Sequence, residues 1–131
     1  MYADVVFVTY SRSRIYDKRE FHVCLKRTLS SVLFRSKATR GVCVRVFGSK
    51  ELHEDGVPHY HVLLRFSKKV YWEGAREKLL VMVKRDGEYV PDTGSVYIRK
   101  KPQAETLEQF LYSVQTYIAK GGNVFGKWVY D

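Results

Sequence analysis

Two histidines and a glutamate lie close together in the stretch Glu51 to Leu64, ELHEDGVPHYHVLL. Side chains alternate between faces along a β-strand, so a strand carrying His59 and His61 presents both imidazoles on one face. The Asp-Gly pair at 55–56 predicts a tight turn that brings the preceding segment back beside this strand. Imidazole nitrogens combined with a carboxylate oxygen are typical of a catalytic metal site that keeps open positions for water.

The third metal ligand has two candidates. Glu51 falls on the face of the histidine pair across the predicted hairpin, and residue parity also puts His53 there. The residue types alone leave this choice open. The alternative without a metal is an H-x-H pair that is simply exposed on an edge strand.

A second reactive group lies near the end of the chain, in the sequence YIAK at 117–120. Tyr117 and Lys120 are three residues apart and share one face of a predicted helix. A phenol has a pKa of about 10 and is a poor nucleophile at neutral pH. A nearby cation and a metal-polarised phosphate are what would make its attack feasible. Without a metal, a tyrosine at the edge of the core beside a solvated lysine is the ordinary explanation.

Net charge favours a polyanionic partner, nucleic acid before a membrane, and the alternative is a generically basic surface. The 131 residues carry a formal net charge of +9, with a pI near 9.6 and 10 tyrosines. Tyr10, Arg12 and Arg14 follow the first predicted strand and suit one wall of a groove for single-stranded nucleic acid. Arg45 and Arg65 extend this basic character along the face that carries the histidines. A packed Tyr10 with solvated arginines is the alternative.

The elements that position these side chains alternate between strand and helix. Hydrophobic periodicity predicts strands over 5–10, 42–52, 59–66 and 96–99, and helices over 17–34, 72–85 and 106–120. The order β-α-β-β-α-β-α begins with the elements of a split βαβ sandwich. We therefore expect an α+β fold with a central antiparallel sheet, helices on one face, and the other face open to ligands.

Length and composition limit the class of protein. The chain, 1–131, is long enough for one domain with its own core. Cys24 and Cys43 lack a zinc-type spacing, so we expect reduced thiols inside a cell. The first residues do not form a secretion signal, and no window approaches the roughly 18 apolar residues of a membrane span. We expect neither secretion nor a membrane partner.

Three motifs, FVTYS at 7–11, PHYHVLL at 58–64 and YIAK at 117–120, occur in this order. Together they resemble the motifs of the HUH replication-initiator endonucleases, especially the Rep proteins of circular single-stranded DNA viruses and related plasmids, and most of all the geminivirus-type group. The likeness spans residues 7–122. Its most specific part is the H-x-H pair followed by a helical Y-x-x-K, which begins 56 residues after His61.

The resemblance implies a role for each matching residue. It implies that Glu51, His59 and His61 bind Mg²⁺ or Mn²⁺, which favours Glu51 over His53 as the third ligand. It implies an RNA-recognition-motif-like or ferredoxin-like HUH endonuclease fold.

The resemblance also implies that Tyr117 is the nucleophile and Lys120 its catalytic companion. Two departures from the motifs are present. Tyr60 occupies the hydrophobic position between the histidines, and glycines rather than an acid follow Lys120.

The implied activity is site-specific nicking and joining of single-stranded DNA at an origin stem-loop, in rolling-circle replication, through a covalent 5′-phosphotyrosine. The host replication machinery would be a partner, in the host nucleus for a eukaryotic virus and in the cytoplasm otherwise. Such proteins usually continue into a helicase domain, so we expect a nuclease part of a longer protein or a naturally short form, and the full-length protein could oligomerise. The alternatives are a single-tyrosine HUH transposase and a non-catalytic RNA-recognition-motif-like module that binds single strands.

Overall fold

Runs rich in β-branched and aromatic residues form the strands of a five-stranded antiparallel sheet in this computed structural model, which describes residues 1–127. The elements are β1 (Tyr2–Tyr10), α1 (Lys18–Arg35), β2 (Val44–Leu52), β3 (Pro58–Tyr71), α2 (Ala75–Lys78), β4 (Met82–Arg85), β5 (Glu88–Pro91), β6 (Val96–Lys100), α3 (Leu107–Ala119) and β7 (Val124–Gly126). The sheet order is β6-β1-β3-β2-β7, and β4 and β5 form a separate hairpin. The predicted α+β class with a central antiparallel sheet is confirmed.

The central strand β3 lies between β1 and β2 and is antiparallel to both. The strands β1 and β2 are therefore parallel to each other, are joined by α1, and are separated by β3. This is the split βαβ arrangement expected from the order of elements.

The helix α1 covers one face of the sheet. It begins after Asp17, whose carboxylate accepts a hydrogen bond from the Arg19 backbone N–H at 2.8 Å, as an N-cap does. Alternate side chains of the sheet point towards it, and the buried residues of this face include Val6, Val8, Tyr60, Val62 and Leu64. The predicted apolar face of β2 and β3 is the one that packs against α1.

The helices are not confined to one face, because α3 packs against the opposite side of the sheet. Its apolar stripe forms a second cluster with sheet residues, consisting of Val5, Phe47, Leu63, Phe110, Leu111, Val114 and Ile118. A capping box between Thr106 and Gln109 fixes the start of α3. The second sheet face, expected to be free, is therefore open only where α3 does not cover it.

The segment 72–85, predicted as one helix, is mostly not helical. The strand β3 continues to Tyr71, the helical part is the single turn of α2, and β4 pairs with β5. Asp86 and Gly87, expected to end the helix, form the hairpin turn with φ of 52° and 83°. Within residues 1–127, no helix is long and apolar enough to cross a bilayer.

The tail 123–131 contributes a strand that the sequence patterns did not predict. Phe125 in β7 lies opposite Gly48 in β2, and its ring makes edge contacts with Phe21 at 6.0 Å and Tyr60 at 6.1 Å between centroids. Residues 128–131 of this tail lie outside the described part of the chain. The buried Phe125 ring fastens the sheet edge to the core under α1.

The close fit between β2 and β7 predicts the effect of adding one methyl group. A Cβ at Gly48 would lie 2.5 Å from Phe125 Cζ and 2.9 Å from the His61 backbone oxygen. We expect Gly48→Ala to lower the free energy of unfolding by about 1–3 kcal/mol through overpacking, measured by urea denaturation. Gly94→Ala is the matched control, because a Cβ there meets no atom within 4 Å. Equal stability of the two variants would contradict this packing.

Candidate functional site

The pairing of three strands brings the predicted site residues into adjacent rows on one sheet face. Glu51 lies directly opposite His59, and in the next row Thr9 and Ser49 lie on either side of His61. This face carries the α3 cluster further along the strands. The hairpin register therefore places the acid beside the histidine pair, as the sequence predicted.

Polar groups hold the His61 imidazole on both of its nitrogens. Nε2 lies 3.4 Å from Glu51 Oε2, and Nδ1 lies 3.3 Å from Thr9 Oγ1. Burial lowers the pKa of His61 below its ordinary value of 6.5, although the Glu51 carboxylate acts in the opposite direction. A neutral His61 ring can therefore offer a lone pair at neutral pH.

The His59 imidazole is buried and incompletely satisfied. His59 is only 6% exposed, and Nε2 of its ring has no hydrogen-bond partner. Burial, followed by the charges of His53 and His61, lowers the pKa of His59. A buried polar atom without a partner is uncommon and destabilising. A metal bound to Nε2 would satisfy it.

The side chains at this position fit a divalent metal by their chemistry, with two imidazole nitrogens and one carboxylate. Within residues 1–127, no three His, Cys, Asp or Glu side chains already stand in a metal-holding arrangement. Glu51 touches His61, while the ring of His53 stacks on that of His59 with centroids 3.2 Å apart. Each candidate third ligand thus contacts one histidine, and the preference for Glu51 stays a prediction.

The structure brings Tyr117 of α3 to the His61 ring. The two rings meet edge to face with centroids 5.7 Å apart, and Phe7 contacts both at 6.0 Å and 6.1 Å. Tyr117 is still 54% exposed, so its phenol can reach a ligand in solvent. Lys120 is the exposed C-cap residue of α3 and follows one helical turn later. The two predicted groups of functional residues, which are distant in sequence, therefore lie next to each other.

Tyr10 requires a correction to its predicted role in binding nucleic acid. It is completely buried, its hydroxyl donates to the Leu79 carbonyl at 2.7 Å, and its ring packs on Phe21. Even-numbered residues of β1 such as Val8 point towards α1 and away from the site face. Tyr10 belongs to the core and offers no ring to stack on a base.

The predicted basic loop after β1 lies beside the site and is fixed in place. Arg12 Nη1 forms an exposed ion pair with Asp55 Oδ2 at 2.9 Å, which ties the loop to the β2–β3 turn. The backbone N–H of Arg14 and the hydroxyl of Ser13 donate to the buried carboxylate of Asp92. The guanidinium of Arg14 remains exposed. Arg12 is therefore held at the turn beside the histidines, while Arg14 is an exposed residue of the same loop.

Arg45 and Arg65 lie further along the same face. They are direct partners across β2 and β3, and with Asp4 and Ser67 they line a surface cavity of about 390 Å³. Arg65 is four residues beyond His61 on β3, a distance of about 13 Å along an extended strand. The two arginines thus form a basic position separate from the candidate metal ligands.

Several residues of the site were not singled out by sequence reasoning. Thr9 and Phe7 stand within the FVTYS motif, but their contacts with His61 and Tyr117 require the strand pairing. Tyr97 of β6 lies opposite Thr9, and Arg99 lies opposite Phe7. Alternation along 96–100, applied as it was to β3, would have placed both side chains on the site face.

A scan against models of known protein families finds no match, and neither does a search of curated proteins. The link to the HUH endonucleases accordingly remains a resemblance in three motifs. The site geometry adds an independent observation, which is the contact between a histidine of one motif and the tyrosine of another.

The lowered imidazole pKa values predict how stability depends on pH. Because folded His59 and His61 bind protons less readily than in the unfolded chain, the free energy of unfolding should fall as the pH drops below about 6.5. Urea denaturation between about pH 7.5 and 5.5 measures this slope, away from the carboxyl titrations. The double variant His59→Gln/His61→Gln should have a shallower slope and retain the contribution of His22, whose pKa is also lowered by burial. If the double variant has the same slope as the wild type, His59 and His61 do not cause the pH dependence.

Proposed function

We propose that this chain is a metal-dependent endonuclease that nicks and rejoins single-stranded DNA at a replication origin through a covalent tyrosine intermediate. The observation that carries the proposal is the contact of Tyr117 with His61, whose ring centroids are 5.7 Å apart. Glu51 Oε2 lies 3.4 Å from Nε2 of the same imidazole. A tyrosine beside potential metal ligands on a basic protein suits phosphoryl transfer to a phenol. The three motifs that resemble HUH endonucleases support the same reaction.

Glu51, His59 and His61 would hold Mg²⁺ or Mn²⁺, which when bound polarises the scissile phosphate and neutralises its developing charge. The Thr9 hydroxyl engages Nδ1 of His61 and leaves Nε2 facing the Glu51 carboxylate. Such a contact to the second ring nitrogen orients a ligating histidine. The exposed Glu51 side chain can rotate to complete the site.

Tyr117 would act as the nucleophile. Its Oη attacks the scissile phosphorus and loses its proton to solvent, while the bond from phosphorus to the 3′-oxygen breaks and that oxygen takes up a proton from solvent. The products are a 5′-phosphotyrosine and a strand with a free 3′-hydroxyl, which can prime synthesis. A later 3′-hydroxyl attacks the phosphotyrosine, rejoins the strand and releases Tyr117. The phosphodiester energy is retained in the covalent link, so neither step needs a nucleotide cofactor.

Two neighbours would assist Tyr117. Phe7 packs edge to face against its ring and limits the directions in which the phenol points. The ammonium group of Lys120, one helical turn further along α3, would favour the phenolate and the charge on the phosphate. Phe7 would thus position the phenol, and Lys120 would stabilise the negative charge that develops during the reaction.

The DNA would approach over the basic side chains around the site. Arg12 and Arg14 would contact phosphates near the β2–β3 turn, and Arg45 and Arg65 would do so further along the sheet. An origin stem-loop is the proposed substrate, and the host replication machinery is the proposed partner.

The nucleophile can be tested with two tyrosines of the same helix. Incubation with Mn²⁺ and an origin-type stem-loop oligonucleotide should give an SDS-resistant protein–DNA adduct in the wild type. We expect Tyr117→Phe to abolish the adduct, because phenylalanine has no Oη, and Tyr112→Phe to retain it. Tyr112 is the matched control, since it is 65% exposed on α3. An adduct with Tyr117→Phe would refute the assignment, whereas binding without scission would favour the non-catalytic module.

Metal affinity provides a separate test of the ligands. We expect His59→Ala to weaken Mn²⁺ binding at least about 10-fold, as loss of a ligand or its support does, measured by isothermal titration calorimetry. His22→Ala is the control, because His22 lies on α1 beside Phe125 and away from the site. Unchanged Mn²⁺ affinity in His59→Ala would contradict the metal assignment.

A further inference from the structure

The edge strand β6 carries two exposed side chains next to the proposed catalytic site. Val96 is buried in the core under α1 and Ile98 packs against that core, so alternation turns Tyr97 and Arg99 to the opposite face. This is the face of His61 and Tyr117. Tyr97 is 67% exposed, and Arg99 is also exposed.

The strand register fixes how close these side chains are to the site. Tyr97 lies opposite Thr9, which contacts His61 from the next strand, and Arg99 lies opposite Phe7, which contacts Tyr117. Neighbouring strands are about 4.8 Å apart, so Tyr97 is about 10 Å from His61 across the sheet. That separation suits a nucleotide next to the one being cleaved.

We propose that Tyr97 and Arg99 form a binding position for a nucleotide that flanks the scissile phosphate, on the β6 side of the site. This inference rests on the proposed function and adds the direction in which the DNA crosses the sheet. The Tyr97 ring stacks on a base, and the Arg99 guanidinium contacts an adjoining phosphate.

The chemistry of these two residues matches a single strand rather than a folded protein surface. Every base presents a π-face, so stacking on an exposed tyrosine tolerates any sequence. A guanidinium two residues along the same face supplies the charge that follows the backbone. Tyr97 would supply the base stacking that was expected of Tyr10, whose ring is buried on the other side of β1.

Binding of a fluorescein-labelled, mixed-sequence single-stranded oligonucleotide tests the proposal, measured by anisotropy in EDTA so that no cleavage occurs. We expect Tyr97→Ala to raise the Kd about 10-fold and Tyr97→Phe to leave it nearly unchanged, because stacking needs the ring and not the hydroxyl. Tyr97→Thr should raise the Kd to a similar extent, because threonine also lacks the ring but favours the β-strand conformation. Tyr89→Ala is the control, since Tyr89 is an exposed tyrosine of the separate β4–β5 hairpin.

The salt dependence separates the two side chains. We expect Arg99→Ala to reduce the slope of log Kd against log salt by about 0.7, as loss of one phosphate contact to a single strand does. Tyr97→Ala should leave that slope unchanged. An unaltered slope in Arg99→Ala would overturn its phosphate contact.

The outcomes also distinguish failure of the flanking nucleotide position from failure of the proposed nuclease function. If the wild type forms the Mn²⁺-dependent adduct but Tyr97→Ala and Tyr97→Thr bind the oligonucleotide as tightly as the wild type, the flanking position is refuted and the nuclease stands. If Tyr97→Phe binds as weakly as Tyr97→Ala, stacking is refuted. If the wild type neither binds the oligonucleotide nor forms an adduct, the proposed function itself fails.

Discussion

The register of β3 between β1 and β2 is the constraint on which the proposed site depends. It places Glu51 opposite His59 and puts Thr9 beside His61. A slip of one residue would turn the histidines towards α1 and move Leu64 to the face that carries the site, placing polar side chains in the apolar core. Burial of the row that includes Tyr60 and Leu64 under α1 therefore determines where the imidazoles point.

The packing of α3 provides the second half of the site. Its apolar stripe covers Phe47 and Leu63 on the histidine-bearing face, and its last turn ends beside His61 with Tyr117 partly exposed. The same packing restricts the position of the phenol, because the Phe7 ring of β1 contacts the Tyr117 ring edge to face. A helix placed to bury apolar surface thus also places a reactive side chain, and Tyr97 and Arg99 remain beside it on the uncovered edge.

Local patterns predicted the ends of α1 and α3, the faces of β2 and β3, and the Glu51–histidine row, because capping and alternation operate over a few residues. They failed at 72–85, where helix-like spacing of apolar residues concealed a hairpin around Asp86-Gly87. They also predicted an open second sheet face, whereas α3 covers part of that face by packing on Val5 of β1. The contact of Tyr117 with His61 joins residues 56 positions apart, so only tertiary packing could establish it.

In the proposed function, the histidine hairpin and the last helix form one metal-dependent site. Paramagnetic broadening by Mn²⁺ in NMR spectra of the protein tests it most directly, because the effect depends on distance from the bound ion. We expect the ring signals of His59, His61 and Tyr117 to broaden first, while those of Tyr112 and Tyr89 persist. Broadening of the histidines with an unaffected Tyr117, or no selective broadening at all, would contradict it.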